Sequence, residues 1–234
     1  MNIDFGPVTI DCELQDLLSY DEYDPNDDMT VTGSCATRTS NYYDEAATLS
    51  KPYGRVCEEA PDIWGAQFAF VATGPVNHHN TAALVGIHFS SAVLLYGNMA
   101  TQYSSILWKG SVSGNPSPTE TFDFGTTYIV KVYTYVDHAA GRRVDCMEVW
   151  SESGGSPVSM LDKLEYRSAF LDPWRGVDPV NVKVLISCLC SGDGYWFLPC
   201  THSICNLYVG ALEPSPVLPM IRNQSGTLGH QLIR

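Results

Sequence analysis

The sequence predicts an all-β fold, an eight-stranded antiparallel jelly-roll β-sandwich with one or two short helices and extended terminal arms. Three observations carry this expectation. Segments rich in Val, Ile, Thr, Tyr and Phe recur along the chain with turn residues between them. Nineteen glycines and fourteen prolines punctuate its 234 residues, and long helix-forming runs are few. There is no strand-helix-strand rhythm and no internal repeat, so a parallel sheet covered by helices is excluded.

Residues 1–60 read as an acidic N-terminal arm and lead-in, 61–212 as the jelly-roll domain, and 213–234 as an extended C-terminal tail. From Met1 to Asp62, fourteen Asp and Glu stand against Arg38, Lys51 and Arg55, a net of −11. The remaining twelve acids and ten bases contribute only −2 of the chain's −13. No Lys or Arg precedes Arg38, so residues 1 to about 35 are expected not to fold onto themselves. The same balance argues against nucleic-acid binding through phosphate neutralisation. "YDEYDPNDDMT" (20–30) lacks the glycine and the closing glutamate of an EF-hand loop, and reads as a solvated or partner-facing segment.

Within the domain, "AQFAFVAT" (66–73) and "AALVGIHFS" (82–90) read as strands. "SAVLLYGNMATQY" (91–103) is the best helix candidate, with Ser90 or Ser91 as its N-cap. "YSSILWKGSVSG" (103–114) is an interior strand, and "NPSPTE" after it a loop. "TTYIVKVYTYV" (126–136) gives the strongest strand signal. "RVDCMEVWSE" (143–152), "LEYRSAFLDPW" (164–174) and "VNVKVLISCLC" (180–190) follow, then "YWFLP". The most apolar window contains His88, two serines and two glycines, and makes a poor membrane span.

Eight cysteines are present, and the start Met-Asn-Ile-Asp has neither a basic nor an apolar leader region. All eight are therefore expected as free, mostly buried thiols. Cys188, Cys190, Cys200, His202 and Cys205 make an incomplete zinc-ligand set resembling a RING centre, with C-x-C where C-x-x-C belongs. Cys188 and Cys190 fall in phase with the aliphatic face of a strand, so core burial explains them without metal. Hydrolytic motifs such as G-x-S-x-G and H-E-x-x-H are missing. Glu148, Glu152 and Glu165 lie in strands where paired acids could serve a glycosidase, although scattered acids are ordinary on a solvated sheet face. His78 and His79 read as loop surface.

Three segments, "NMATQYSSILWKGSVS", "LEYRSAF" and "VNVKVLISCLCSGDGYWFLP", together resemble the capsid proteins of picornavirus-like viruses. Lys109 stands where that family usually has arginine. The resemblance implies a structural subunit of a small icosahedral shell, located in the virion and in host cytoplasm during assembly. Its partners would be other jelly-roll capsid subunits and a host receptor, with no enzymatic activity, cofactor or metal. In that fold Trp108 packs into the sandwich, Lys109 points from the opposite face, and Gly110 lets the strand bend. The alternative from the residues themselves is a β-sandwich binding module that recognises a glycan or protein partner. A β-sandwich hydrolase or zinc-binding domain ranks below it.

Overall fold

The computed structural model describes residues 1–5, 8–40, 47–52, 63–73, 77–89, 92–103, 105–112, 115–123, 125–137, 139, 142–153, 156–159, 164–168, 182–191 and 200–212. Between 77 and 122, between 151 and 200, and at a few single positions only the backbone is described. In chain order the strands begin with β1 (Asn2–Asp4), β2 (Thr9–Asp11) and β3 (Glu13–Leu14), then a 3₁₀ turn at Leu17–Ser19. Next come β4 (Asp21–Tyr23), β5 (Met29–Val31), β6 (Cys35–Ser40), β7 (Ala47–Pro52) and β8 (Ile63–Thr73). The middle of the chain supplies β9 (Asn77–Phe89), β10 (Ala92–Tyr103), β11 (Ser105–Val112) and β12 (Asn115–Phe122). It continues with β13 (Tyr128–Asp137), β14 (Arg142–Ser153), β15 (Ser156–Ser159) and β16 (Leu164–Ser168). The last described strands are β17 (Val182–Ser191) and β18 (Cys200–Leu212).

These strands build an antiparallel sandwich. The first sheet runs β12, β11, β10, β9, β17, β7, β4. The second runs β15, β14, β13, β8, β18, β6, β5, with β16 beside β14 and β3 beside β18. The last two strands each return to the interior of a different sheet, which ties the chain's end into both layers. β10 lies across from β13, β11 across from β14 and β16, and β9 across from β18.

The core follows from period-two alternation. On β8, Trp64, Ala66, Phe68, Phe70 and Ala72 are all buried, facing the first sheet. Their partners in register, Val132, Val130 and Tyr128, bury the same face of β13. Val149 and Ile204 continue that face onto β14 and β18. Each of the larger of these side chains contributes roughly 1.5–3 kcal/mol by leaving water.

Several expectations need correction. Of the expected helix at 91–103, Ala92–Tyr103 forms β10 instead, paired on both sides with β9 and β11. Val93 and Tyr96 fit a pleated surface, and Gly97 weakens a helix interior. "NPSPTE" is part of β12 rather than a loop. β12 is an edge strand, and its register with β11 shifts between Lys109 and Ser111, with the extra residue on the β12 side. Pro116 and Pro118 fall in that stretch, where an edge tolerates a missing donor.

The acidic lead is also folded. β1 and β2 pair as a hairpin that buries Ile3, Phe5 and Ile10, with Cys12 beside them. Both strands show one buried residue between two exposed ones, so the acids face water while the isoleucines face the protein. Charge averaged over the segment hides that alternation. Gly65 and Gly210, opposite one another in register, leave room for the hairpin. A Cβ on Gly65 would come within 2.8 Å of the Phe5 ring, and one on Gly210 within 2.6 Å of the Asp11 carbonyl oxygen.

Finally, the thiols are not all free. Cys35 and Cys205 face each other in register on β6 and β18 and form a disulfide, with Cα atoms 4.1 Å apart. Their separation of 170 residues in sequence concealed the pairing. Cys12 and Cys146 are buried thiols outside any disulfide.

Candidate binding face of the second sheet

The second sheet turns its other side away from the sandwich core. The β1–β2 hairpin covers one half of that side, over Tyr133, Val144 and Cys146. The uncovered half is set out by register. One row runs Trp150, Ile129, Ala69, Cys205, Cys35 across five strands. The next runs Glu148, Lys131, Gln67 and ends at Tyr208, which packs against the hairpin cluster. Farther along, hydroxyls of Thr37 and Ser203 lie 2.8 Å apart, and those of Thr39 and Thr201 also 2.8 Å. All residues of the two rows are partly exposed, giving a shallow surface of mixed character.

Where the open half meets the hairpin, a polar cluster is held rigidly. The Tyr133 hydroxyl donates to Glu148 Oε1 at 2.9 Å, and Trp150 Nε1 donates to Glu148 Oε2 at 3.1 Å. Lys131 Nζ donates to the Asp4 carbonyl oxygen at 2.6 Å. The same ammonium sits 5.4 Å from the Trp150 ring centre and 6.0 Å from that of Phe5, within cation–π range. Burial, reinforced by Cys146 and Glu148, pushes the Tyr133 phenol far above its ordinary range, so it remains a protonated donor. Burial likewise pushes the Cys12 thiol up to about 11, which makes it a poor nucleophile at neutral pH.

A second polar cluster lies on the inner side of the same sheet. Arg38 is fully buried and donates to both oxygens of Asp28, through Nε at 2.6 Å and Nη2 at 3.0 Å. His202 is opposite Arg38 in register and is equally buried, with neither ring nitrogen hydrogen-bonded. Burial first, and then the Arg38 charge, lowers its pKa to about 4.

That placement divides the residues of the zinc alternative. His202 and Cys205 are three residues apart on one strand, so alternation sends the imidazole inward and Cys205 outward into its disulfide. Cys188 and Cys190 belong to β17 in the first sheet, and Cys200 pairs with Ser40. Among the described residues no group of three or more His, Cys, Asp or Glu is arranged to hold a metal ion. Glu165 is opposite Cys146 and Glu152 opposite Pro157, while their side chains lie outside the described residues.

Trp108, Lys109 and Gly110 are on β11, an interior strand as expected, flanked by β10 and β12. Trp108 pairs with Met99 and Glu120, and Lys109 with Thr119. Gly110 stands opposite the register shift, and the faces taken by Trp108 and Lys109 lie outside the described residues. The Glu148 cluster is in the other sheet, on the side that faces away from β11. Sequence reasoning missed Lys131, Tyr133 and Trp150. A signal was present: one lysine interrupts a Val- and Tyr-rich strand, and a glutamate interrupts the strand after it.

No protein-family model and no curated protein matches this chain. Solved structures with a similar chain path include botulinum neurotoxin type C, which interacts with two ganglioside molecules. It is 9% identical with a TM-score of 0.46, covering 89% of this chain and 46% of that one. This chain thus spans less than half of the toxin chain. A legume lectin-like domain from Entamoeba histolytica is 10% identical at a TM-score of 0.45, covering 82% and 90%. Alginate lyase AlgAT5, of polysaccharide lyase family 7, is 12% identical at 0.43, covering 80% and 83%. Likenesses of this depth assign neither ligand nor activity.

Proposed function

We propose that this chain is a β-sandwich binding module that recognises glycans through the open face of its second sheet. The observation that carries this reading is the Trp150–Glu148–Lys131 cluster on a shallow surface lined with hydroxyl and amide groups. Sugars present C–H faces that pack on aromatic rings and hydroxyls that need fixed polar partners. Trp150 supplies such a ring, and its hydrogen bond to Glu148 fixes the ring's orientation. Gln67, Thr37 and Ser203 supply both donors and acceptors in the adjoining rows.

Binding is favoured over hydrolysis because both oxygens of Glu148 already accept hydrogen bonds. Those two bonds commit the carboxylate to holding the Tyr133 hydroxyl and the Trp150 indole in place. The Cys35–Cys205 bridge suits an oxidising compartment, where extracellular glycans are met.

A glycan array probed with the purified protein tests the reading, followed by titration of the best ligand against Trp150→Ala. The expected loss is about tenfold or more, the scale of an aromatic anchor. Array-wide silence would contradict the proposal. Light scattering on the same sample addresses the shell-subunit expectation: particles of defined size would favour it, and a small discrete species would favour the module.

A further inference from the structure

We infer that the glycan face selects anionic sugars, with the Lys131 ammonium as the group that recognises the carboxylate or sulfate. This rests on the glycan-binding reading above and narrows its ligand class. Lys131 takes no part in the ion pairs among the described residues, which are Met1–Asp11 and Arg38–Asp28. Its one hydrogen bond goes to a neutral carbonyl oxygen, that of Asp4. An ammonium has three N–H donors, so two remain for a ligand. Glu148 is opposite Lys131 in register, yet its oxygens accept from Tyr133 and Trp150 and it forms no ion pair with the ammonium.

The position of the charge matters as much as its freedom. The Asp4 carbonyl and the Phe5 and Trp150 rings locate the ammonium at the border between the hairpin and the open face. A sugar packed along the Trp150 indole would bring a ring substituent within reach of that charge. Lys131 is also the one cation that the described side chains place on this side of the sheet. The chain as a whole carries −13 and repels anions at long range, so an anionic ligand needs a local cation of this kind.

The test uses matched pairs of probes: sialyllactose with lactose, oligogalacturonate with the neutral galactose oligomer, and a sulfated with an unsulfated disaccharide. Affinities are measured by calorimetry at low and moderate salt. The anionic member of at least one pair should bind about fivefold or more tighter, an advantage that shrinks as salt rises. Which pair shows it separates carboxylate from sulfate recognition. Lys131→Gln should bring the ratio within that pair close to one, whereas Lys131→Arg should preserve most of it. Circular dichroism melts establish that both variants are folded. Equal binding of neutral and anionic members, or a preference that survives Lys131→Gln, overturns this inference and leaves glycan binding standing. Failure of every probe, anionic and neutral, overturns both.

Discussion

The second sheet carries a charged cluster on each of its sides, and the two are built to opposite ends. On the inner side the Arg38 guanidinium is sealed from water and matched by a carboxylate that takes two of its hydrogen bonds. On the outer side the Lys131 ammonium rests on a carbonyl and two aromatic rings, partly exposed and without a carboxylate partner. A cation satisfied inside a fold holds that fold together. A cation left with spare donors at a surface is available to something else.

Breaking the inner cluster gives the largest expected effect. Asp28→Ala removes the partner of a buried charge, and destabilisation of about 3–5 kcal/mol is expected in urea unfolding. Lys131→Gln, on the outer side, should cost no more than about 1 kcal/mol, as for exposed charges generally. Equal costs for the two would erase the distinction.

His202 sharpens the comparison through pH. Its folded pKa of about 4 lies below the ordinary value of 6.5, so at acid pH the unfolded chain binds a proton that the folded chain refuses. The contribution of neutral His202 is therefore complete above pH 6.5 and is lost as pH falls from there toward 4. The full loss is about 3 kcal/mol, at roughly 1.4 kcal/mol per pKa unit. Unfolding curves from pH 7 to 4 should steepen in that window for the wild type and flatten for His202→Leu.

A smaller effect belongs to Glu148. Glu148→Ala strands the Tyr133 hydroxyl and the Trp150 N–H of their shared acceptor, which should cost about 1–3 kcal/mol. Loss of the fixed indole orientation should appear as a shift in Trp fluorescence. An unchanged spectrum would show that Glu148 does not hold the ring.

Legibility in the sequence followed the strength of alternation. β8 alternates between buried apolar and smaller or polar residues, and β13 is dense in β-branched and aromatic residues, so the existence of both was readable. β10 was misread because Ser90 and Ser91 precede an apolar run without strict alternation, which suits a helix as well as a strand buried on both faces. β1 and β2 escaped because three-residue strands carry too little pattern against a background of acids. The binding face was harder still. Its residues come from β13, β14, β8 and β18, and only strand order brings Trp150 and Gln67 into adjacent rows. His202 and Cys205 show the complementary case, being close in sequence yet divided between the two sides of one strand.

The most direct test of the account is titration of the wild-type protein and Trp150→Ala with the best ligand from a glycan array, with both proteins shown to melt cooperatively. The account predicts saturable binding to the wild type and a loss of about tenfold or more in the variant. Wild-type affinity in Trp150→Ala, or no saturable glycan binding by the wild type, would contradict it.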